Sequence, residues 1–242
     1  LLERIQTLIQ TRAIQNLEGI ILVHATGGGA GSGLLQNVFE VLKDQFAKIP
    51  ILTFSIYPSQ KISGNVVEAY NTVFATSTLL KNADGVILLD NDKILELVQK
   101  KYGIKAPTYE DINLVISRII FSILMQFAMP GAIIRMDFNK LFTNLVPYQY
   151  MKFLLTTIAP FNFDEFSMNK SEEIIEELTD SSNFLIDVDF QAGKYTSAVF
   201  MFMGQLGPEL KTPLRIAREQ MDYMEWIPGG ISLAITPRDH MT

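Results

Sequence analysis

Three short apolar runs constrain this chain more than anything else in it: Gly19-Ile-Ile-Leu-Val-His24, Ile51-Leu-Thr-Phe-Ser-Ile56 and Gly85-Val-Ile-Leu-Leu-Asp90. The first is a continuous β-branched run of the kind buried on both faces of a parallel sheet, the second is entered through Pro50, and the third reads the same way. Helical spacing separates them. Leu34, Leu35, Val38, Leu42 and Phe46 mark one helix, Asn65 to Leu80 a second, and Asp92 to Lys101 a short third. Strands alternating with helices predict a parallel sheet with covering helices, and ligands of such sheets sit at the carboxyl ends of the strands.

At the carboxyl end of the first run lies Gly27-Gly-Gly-Ala-Gly-Ser-Gly33, five glycines in seven residues out of 15 in the whole chain. A tight turn alone needs one or two. Backbone without Cβ atoms lets an anion come close to N–H groups at a helix start, so the loop predicts a phosphate cradle. No Lys follows the glycines as in a Walker A loop. The fit to GxGxxG is loose, and no acidic ribose partner ends the next strand, which weighs against a dinucleotide oxidoreductase.

Composition removes other classes. The net charge is −6, and no run of Lys or Arg is long enough to follow a phosphate backbone, so nucleic acid is not an expected partner. There is no cysteine, hence no disulfide or thiolate site, which is compatible with a reducing compartment. His24 and His240 are the only histidines, too few for a three-His metal site or an evident triad. Leu114 to Ile134 approaches the length of a bilayer span, yet Arg118, Ser122 and Gln126 form a polar stripe and Pro130-Gly131 breaks the run. A buried helix of a soluble protein is the expectation, with no membrane partner.

That helix starts at Thr108, read as N-cap with Asp111 three residues on, and its apolar positions Ile112, Val115, Ile116, Ile119, Ile120, Ile123, Leu124 and Phe127 cover more than half its circumference. Such a helix packs between two layers, as a spine joining two domains. Beyond Gly131 the pattern predicts helices at Phe138 to Leu145, Ser171 to Leu178 and Pro208 to Met221. Strands are expected near Met151 to Thr157, Asn183 to Asp189, Thr196 to Gly204 and Ile231 to Ile235, making a mixed α+β region.

The glycine loop closely resembles the signature loop of the tubulin and FtsZ superfamily. SIYP (Ser55 to Pro58), VVEAYN (Val66 to Asn71), LDN (Leu89 to Asn91), PTYEDIN (Pro107 to Asn113) and TNLVPY (Thr143 to Tyr148) follow in register, and they resemble eukaryotic-type tubulins more than FtsZ. The resemblance implies an α/β fold: a parallel-sheet nucleotide-binding domain of tubulin/FtsZ GTPase type (1–105), a connecting core helix (106–129) and a second α+β domain (130–242). The sequence opens at Leu1 inside an amphipathic pattern (Leu2, Ile5, Leu8, Ile9), and the family's first strands and last helices have no counterpart, so we expect a fragment of a longer chain.

By resemblance, Gly28, Gly29, Ala30 and Gly31 line the phosphates of GTP or GDP with Mg2+, and Glu68 reaches the ribose. Asn91 and Asn113 read the guanine edge and Tyr109 stacks on the base. Each residue has a plainer reading: Glu68 a solvated helix residue, Asn91 a helix N-cap, Tyr109 a cover for the apolar helix, Asn113 a surface polar. Ala25, Ala30 and Gly64 stand where many tubulins carry hydroxyls. In this family the segment around Pro130 to Lys140 reaches a neighbour's nucleotide and, in α-tubulin and FtsZ but not in β-tubulin, supplies an acid three residues after an Asp. Here Lys140 follows Asp137 at that spacing. A lysine cannot orient water as a carboxylate does, though its cation can meet phosphate. Asp137 could equally be the N-cap of the helix it precedes. The implied function is a cytoplasmic, cytoskeletal GTP-binding protein that assembles head to tail with other tubulin-like subunits, with hydrolysis at the subunit interface. The alternative is a non-polymerising regulatory protein on the same fold.

Overall fold

In the computed structural model, residues 3–4, 7, 17–61, 65–129, 132–161, 171–189, 193–204, 215, 217–219, 221–226 and 230–236 are described. The expectations at Leu2, Ile5, Leu8, Ile9, Gly64, Pro130, Gly131 and His240, and most of the helix expected at 208–221, lie outside these residues.

The described elements are β1 (Ile20–Ala25), α1 (Gly29–Gly33), α2 (Leu35–Gln45), β2 (Ile51–Tyr57), α3 (Val67–Asn82), β3 (Gly85–Asp90) and α4 (Asn91–Tyr102). They continue with α5 (Tyr109–Ala128), α6 (Phe138–Leu145), β4 (Phe153–Leu154), α7 (Ser171–Thr179), β5 (Ser197–Met203) and β6 (Gly230–Thr236). Strands β1 to β4 form one parallel sheet in sequence order, with Leu22 opposite Thr53 and Thr53 opposite Val86.

Alternation along the strands divides the core. Leu52, Phe54, Ile87 and Leu89 face one way, into a cluster with Ile94, Leu97, Val98, Ile112, Val115 and Ile119 of α4 and α5. Ile51, Val86 and Leu88 face the other way, against Leu35, Phe39 and Leu42 of α2 and Ala75 and Leu79 of α3. A period of two along parallel strands sends neighbouring side chains to opposite helical layers, which is why these runs read as continuously apolar. The outermost strand departs from that expectation. Val23 of β1 is 52% exposed, and no described helix covers it.

Helix α5 begins as the sequence predicts. The Thr108 backbone N–H and hydroxyl both donate to Asp111 Oδ2, at 2.7 and 2.9 Å. Among the described residues it is the one helix long and apolar enough to cross a membrane by length and composition, and Arg118 and Gln126 of its polar stripe bond to other parts of the protein. Arg118 donates to the Tyr102 hydroxyl at 2.8 Å, which donates to Phe161 O at 2.7 Å. Buried Gln126 donates to Phe202 O at 3.1 Å and accepts from the Thr236 hydroxyl at 2.7 Å, tying α5 to β5 and β6. Leu114, Phe121 and Leu124 remain exposed, so α5 packs on α4 and on the β5–β6 pair without being enclosed all round.

Two later strands differ from expectation. Only Phe153–Leu154 of the run near Met151 to Thr157 pairs with β3. Residues 183–189 form no strand: Ser181–Asn183 is a 3-10 turn, and Leu185 bridges the sheet end through single bonds to Thr156 O and from Asp90 N–H. The hydrophobic run there serves burial of Phe184 and Leu185 rather than a ladder. Strands β5 and β6 pair in parallel over seven residues, Ser197 with Gly230 through Met203 with Thr236.

Candidate functional site

The carboxyl ends of β1, β2 and β3 bring most of the predicted site to one edge. Directly after β1 the chain turns at Thr26 to Gly28 and enters α1 at Gly29, so the helix starts inside the glycine run rather than after it. The glycines are not equivalent. A Cβ on Gly31 would lie 2.1 Å from the carbonyl oxygen of Ala25, a backbone atom that cannot yield, so the fold itself demands glycine there. A Cβ on Gly27 would touch Pro58 at 3.0 Å. At Gly28, Gly29 and Gly33 an added Cβ would meet nothing within 4 Å, and Gly28, Gly29 and Ala30 are exposed. Among the described residues nothing needs these positions bare, which fits a ligand approaching the backbone.

Several contacts hold the turn. The amide Nδ2 of Asn71 on α3 donates to Gly27 O at 2.8 Å, and the Ser32 hydroxyl donates to Gly28 O at 2.8 Å. Buried Thr26 donates to Ile56 O at 3.1 Å. His24 bridges the turn and the sheet. A carbonyl only accepts, so Nδ1 donates to Gly31 O at 3.1 Å and Nε2 is left to accept from the Ser55 hydroxyl at 2.9 Å. Burial lowers the His24 pKa below its ordinary value, partly offset by the bond to Gly31, which keeps the ring neutral near pH 7. Nothing in the sequence singled out His24 or Asn71 for this work. One signal was available for Asn71: it lies three residues after Glu68, on the same helix face.

Glu68 lies beside the glycine turn. It sits in the first turn of α3, half-buried, and its Cβ lies 3.4 Å from where a Gly27 Cβ would be. Asn91 opens α4 at the end of β3 but does not cap it; Asp90 does, accepting from the Asp92 N–H at 2.9 Å. Burial raises the Asp90 pKa, with the Asp92 hydrogen bond opposing. Asp92 in turn accepts from the Ser59 hydroxyl and, at 2.8 Å, from the Gln60 N–H, fastening the connection after β2. With its neighbours so engaged, the Oδ1 of Asn91 is buried with no hydrogen-bond partner. An orphaned buried acceptor costs about 1–3 kcal/mol. Tyr109 and Asn113 lie one turn apart at the start of α5, both exposed, and α5 packs on α4.

Asp137 and Lys140 lie at the opposite end of the sheet. Asp137 shares a cavity of about 250 Å³ with Leu17, Glu18, Ile49 and Pro50, which precede β1 and β2. Its carboxylate caps α6 by accepting from Lys140 N–H at 2.7 Å, and Lys140 Nζ sits 3.7 Å from its other oxygen. The helix-cap reading of Asp137 therefore describes its contacts in this chain. A larger cavity, about 630 Å³, runs between α2 and α3 and touches the glycine turn at Gly29, Ser32 and Gly33. None of Glu68, Asn91, Tyr109 or Asn113 lines it, so it is not where these residues would meet a nucleotide. Among the described residues no three His, Asp or Glu side chains gather as a metal site.

A parallel sheet covered on both faces, with an open glycine turn at its carboxyl edge, defines an α/β protein of the nucleotide-binding kind. Residues 1–99 match the Tubulin/FtsZ family, GTPase domain. The chain is 34% identical over 243 residues to the tubulin alpha-1 chain of Arabidopsis thaliana and 32% identical over 248 residues to the nucleomorph tubulin alpha chain of Guillardia theta. Each alignment covers 97% of this chain and 53% of the relative. The tubulin alpha-2 chain of Eleusine indica is 33% identical over 90% of this chain and 50% of its own length. The chain is thus similar to tubulin alpha chains over nearly all of its own length, and it spans about half the length of the curated relatives it matches.

Proposed function

We propose that this chain binds guanine nucleotide at the carboxyl edge of the β1–β4 sheet and takes part in a cytoskeletal, head-to-tail assembly of tubulin-like subunits in the cytoplasm. One observation carries the binding reading: the orphaned Asn91 Oδ1, at the strand end where the family resemblance puts a guanine-reading amide. Guanine offers N–H donors at its Watson–Crick edge, which would satisfy that acceptor. Gly28, Gly29, Ala30 and Gly31 would meet the phosphates, Glu68 the ribose, and Tyr109 and Asn113 the base. Magnesium would arrive with the phosphates, since that ion is commonly held by few protein ligands beside them. The division into 1–105, 106–129 and 130–242 belongs to the same reading.

The assembly reading is supported by exposed apolar groups at both ends of one polar sheet. Val66 (76% exposed) and Tyr70 (65%) flank Glu68 at the cradle end. Tyr150 (81%) and Trp226 (61%) are exposed at the other, where Trp226 packs edge-on against Tyr148 and Lys152 bonds to Ala83 just before β3. Two different faces at opposite poles give heterologous contacts, which propagate as open filaments when the rotation does not close. The capped state of Asp137 and the lysine at position 140 favour slow hydrolysis at such a contact, the point at which a non-polymerising regulator remains the second reading.

The test is binding and assembly by the full-length protein. GTP should bind in preference to ATP, and filaments should be visible by negative-stain microscopy; a protein that binds neither nucleotide contradicts the first part, and flat light scattering with saturating GTP contradicts the second.

A further inference from the structure

We infer that Asn71 is a positioning residue for the phosphate cradle: it acts through the backbone of Gly27 and Gly28 rather than on the nucleotide, and the inference rests on the nucleotide reading above. In a trans peptide the C=O of one residue and the N–H of the next point in opposite directions. By holding Gly27 O at 2.8 Å, Asn71 Nδ2 therefore aims the Gly28 N–H away from α3. Ser32 performs the same operation one peptide later. Its hydroxyl at 2.8 Å and its N–H at 3.0 Å both donate to Gly28 O, which turns the Gly29 N–H the other way. Two consecutive amides are thus set before any ligand arrives, at exposed residues around which an added Cβ meets open space. Successive N–H groups fixed in this manner form an anion-binding concavity.

The placement of Asn71 also links two parts of the proposed site. It stands three residues after Glu68 on α3, and the next residue, Thr72, has its hydroxyl 3.4 Å from that of Thr26. One helix face therefore presents the ribose-side carboxylate and grips the corner from which the phosphate turn departs. Glycine without a clamp would leave these peptides free to flip, because glycine populates both signs of φ with similar ease.

The test separates phosphate from base. Calorimetric titration of the full-length protein with guanosine, GDP and GTP should show that Asn71→Ala weakens GDP and GTP roughly tenfold or more, while guanosine binds as in the unaltered protein. Equal loss for all three ligands, or no loss for any, overturns the inference. If Asn71→Ala does not fold, Asn71→Leu decides the matter: a side chain of similar size with no donor should weaken GDP and GTP several-fold and spare guanosine, and an indifferent result overturns the inference. An unaltered protein that binds no guanine nucleotide fails the underlying reading instead.

Discussion

The two ends of the β1–β4 sheet each carry a helix start with a predicted functional role, and they are built in opposite ways. At Asp137 the start of α6 is closed: the carboxylate accepts from Lys140 N–H and the lysine ammonium lies beside it. At Gly28 the start of α1 has no side-chain cap at all. Whether a helix start keeps its backbone donors open is therefore set by the residues around it. Where the chain means to end its hydrogen bonding it supplies an acid, and where it leaves the amides open it supplies glycine and clamps the carbonyls from behind.

Gly31→Val should break the open end most severely. The new side chain would drive into Ala25 O, costing about 3 kcal/mol of stability and abolishing GTP binding, as chemical denaturation and titration would show; Gly28→Ala, facing open space, should leave stability within about 0.5 kcal/mol. Next comes Asn91→Ala, expected to weaken guanosine and GTP alike by roughly ten- to a hundredfold. Because it removes an orphaned acceptor, it should leave the melting temperature unchanged or slightly higher. A clear fall in melting temperature would show that Asn91 supports the fold rather than the ligand.

At the closed end, Asp137→Ala should cost about 1 kcal/mol through the lost cap, with little added from the exposed lysine pair. The GTP affinity of the same chain should not change. A large affinity loss would show that the two ends are coupled within one subunit. The smallest effect is a pH dependence centred on His24. Its folded pKa is depressed by burial, so the unfolded chain binds more protons as pH falls below the ordinary value of 6.5. The contribution is fully present above that value and is lost as pH falls toward the folded pKa. Denaturation midpoints measured between pH 8 and 5 should decline in that window for the unaltered protein, and less steeply for His24→Gln.

Legibility in the sequence was uneven for physical reasons. Strands β1, β2 and β3 and helices α2 to α6 follow from apolar periodicity and local caps, interactions among near neighbours. The capping box at Thr108 and Asp111 could be read letter by letter. The run at 183–189 could not, since whether an apolar segment becomes a strand depends on an adjacent free edge, and here only Leu185 finds bonds beside β3 and β4. At the site, Gly28, Gly29, Glu68 and Asn91 were named from family resemblance. Asn71 and His24 were not, because their task is to reach carbonyls 44 and seven residues away, and a backbone carbonyl has no letter in a sequence.

Short-range patterning, and backbone freedom where Cβ is missing, were enough to set the alternation of strand and helix, the parallel sheet and the glycine turn at its carboxyl edge. Which glycine the fold requires, which amide oxygen is left without a partner, and which end of the sheet is closed emerge only in three dimensions. Those depend on atoms from separate elements meeting within 3 or 4 Å, and no local pattern encodes such a meeting.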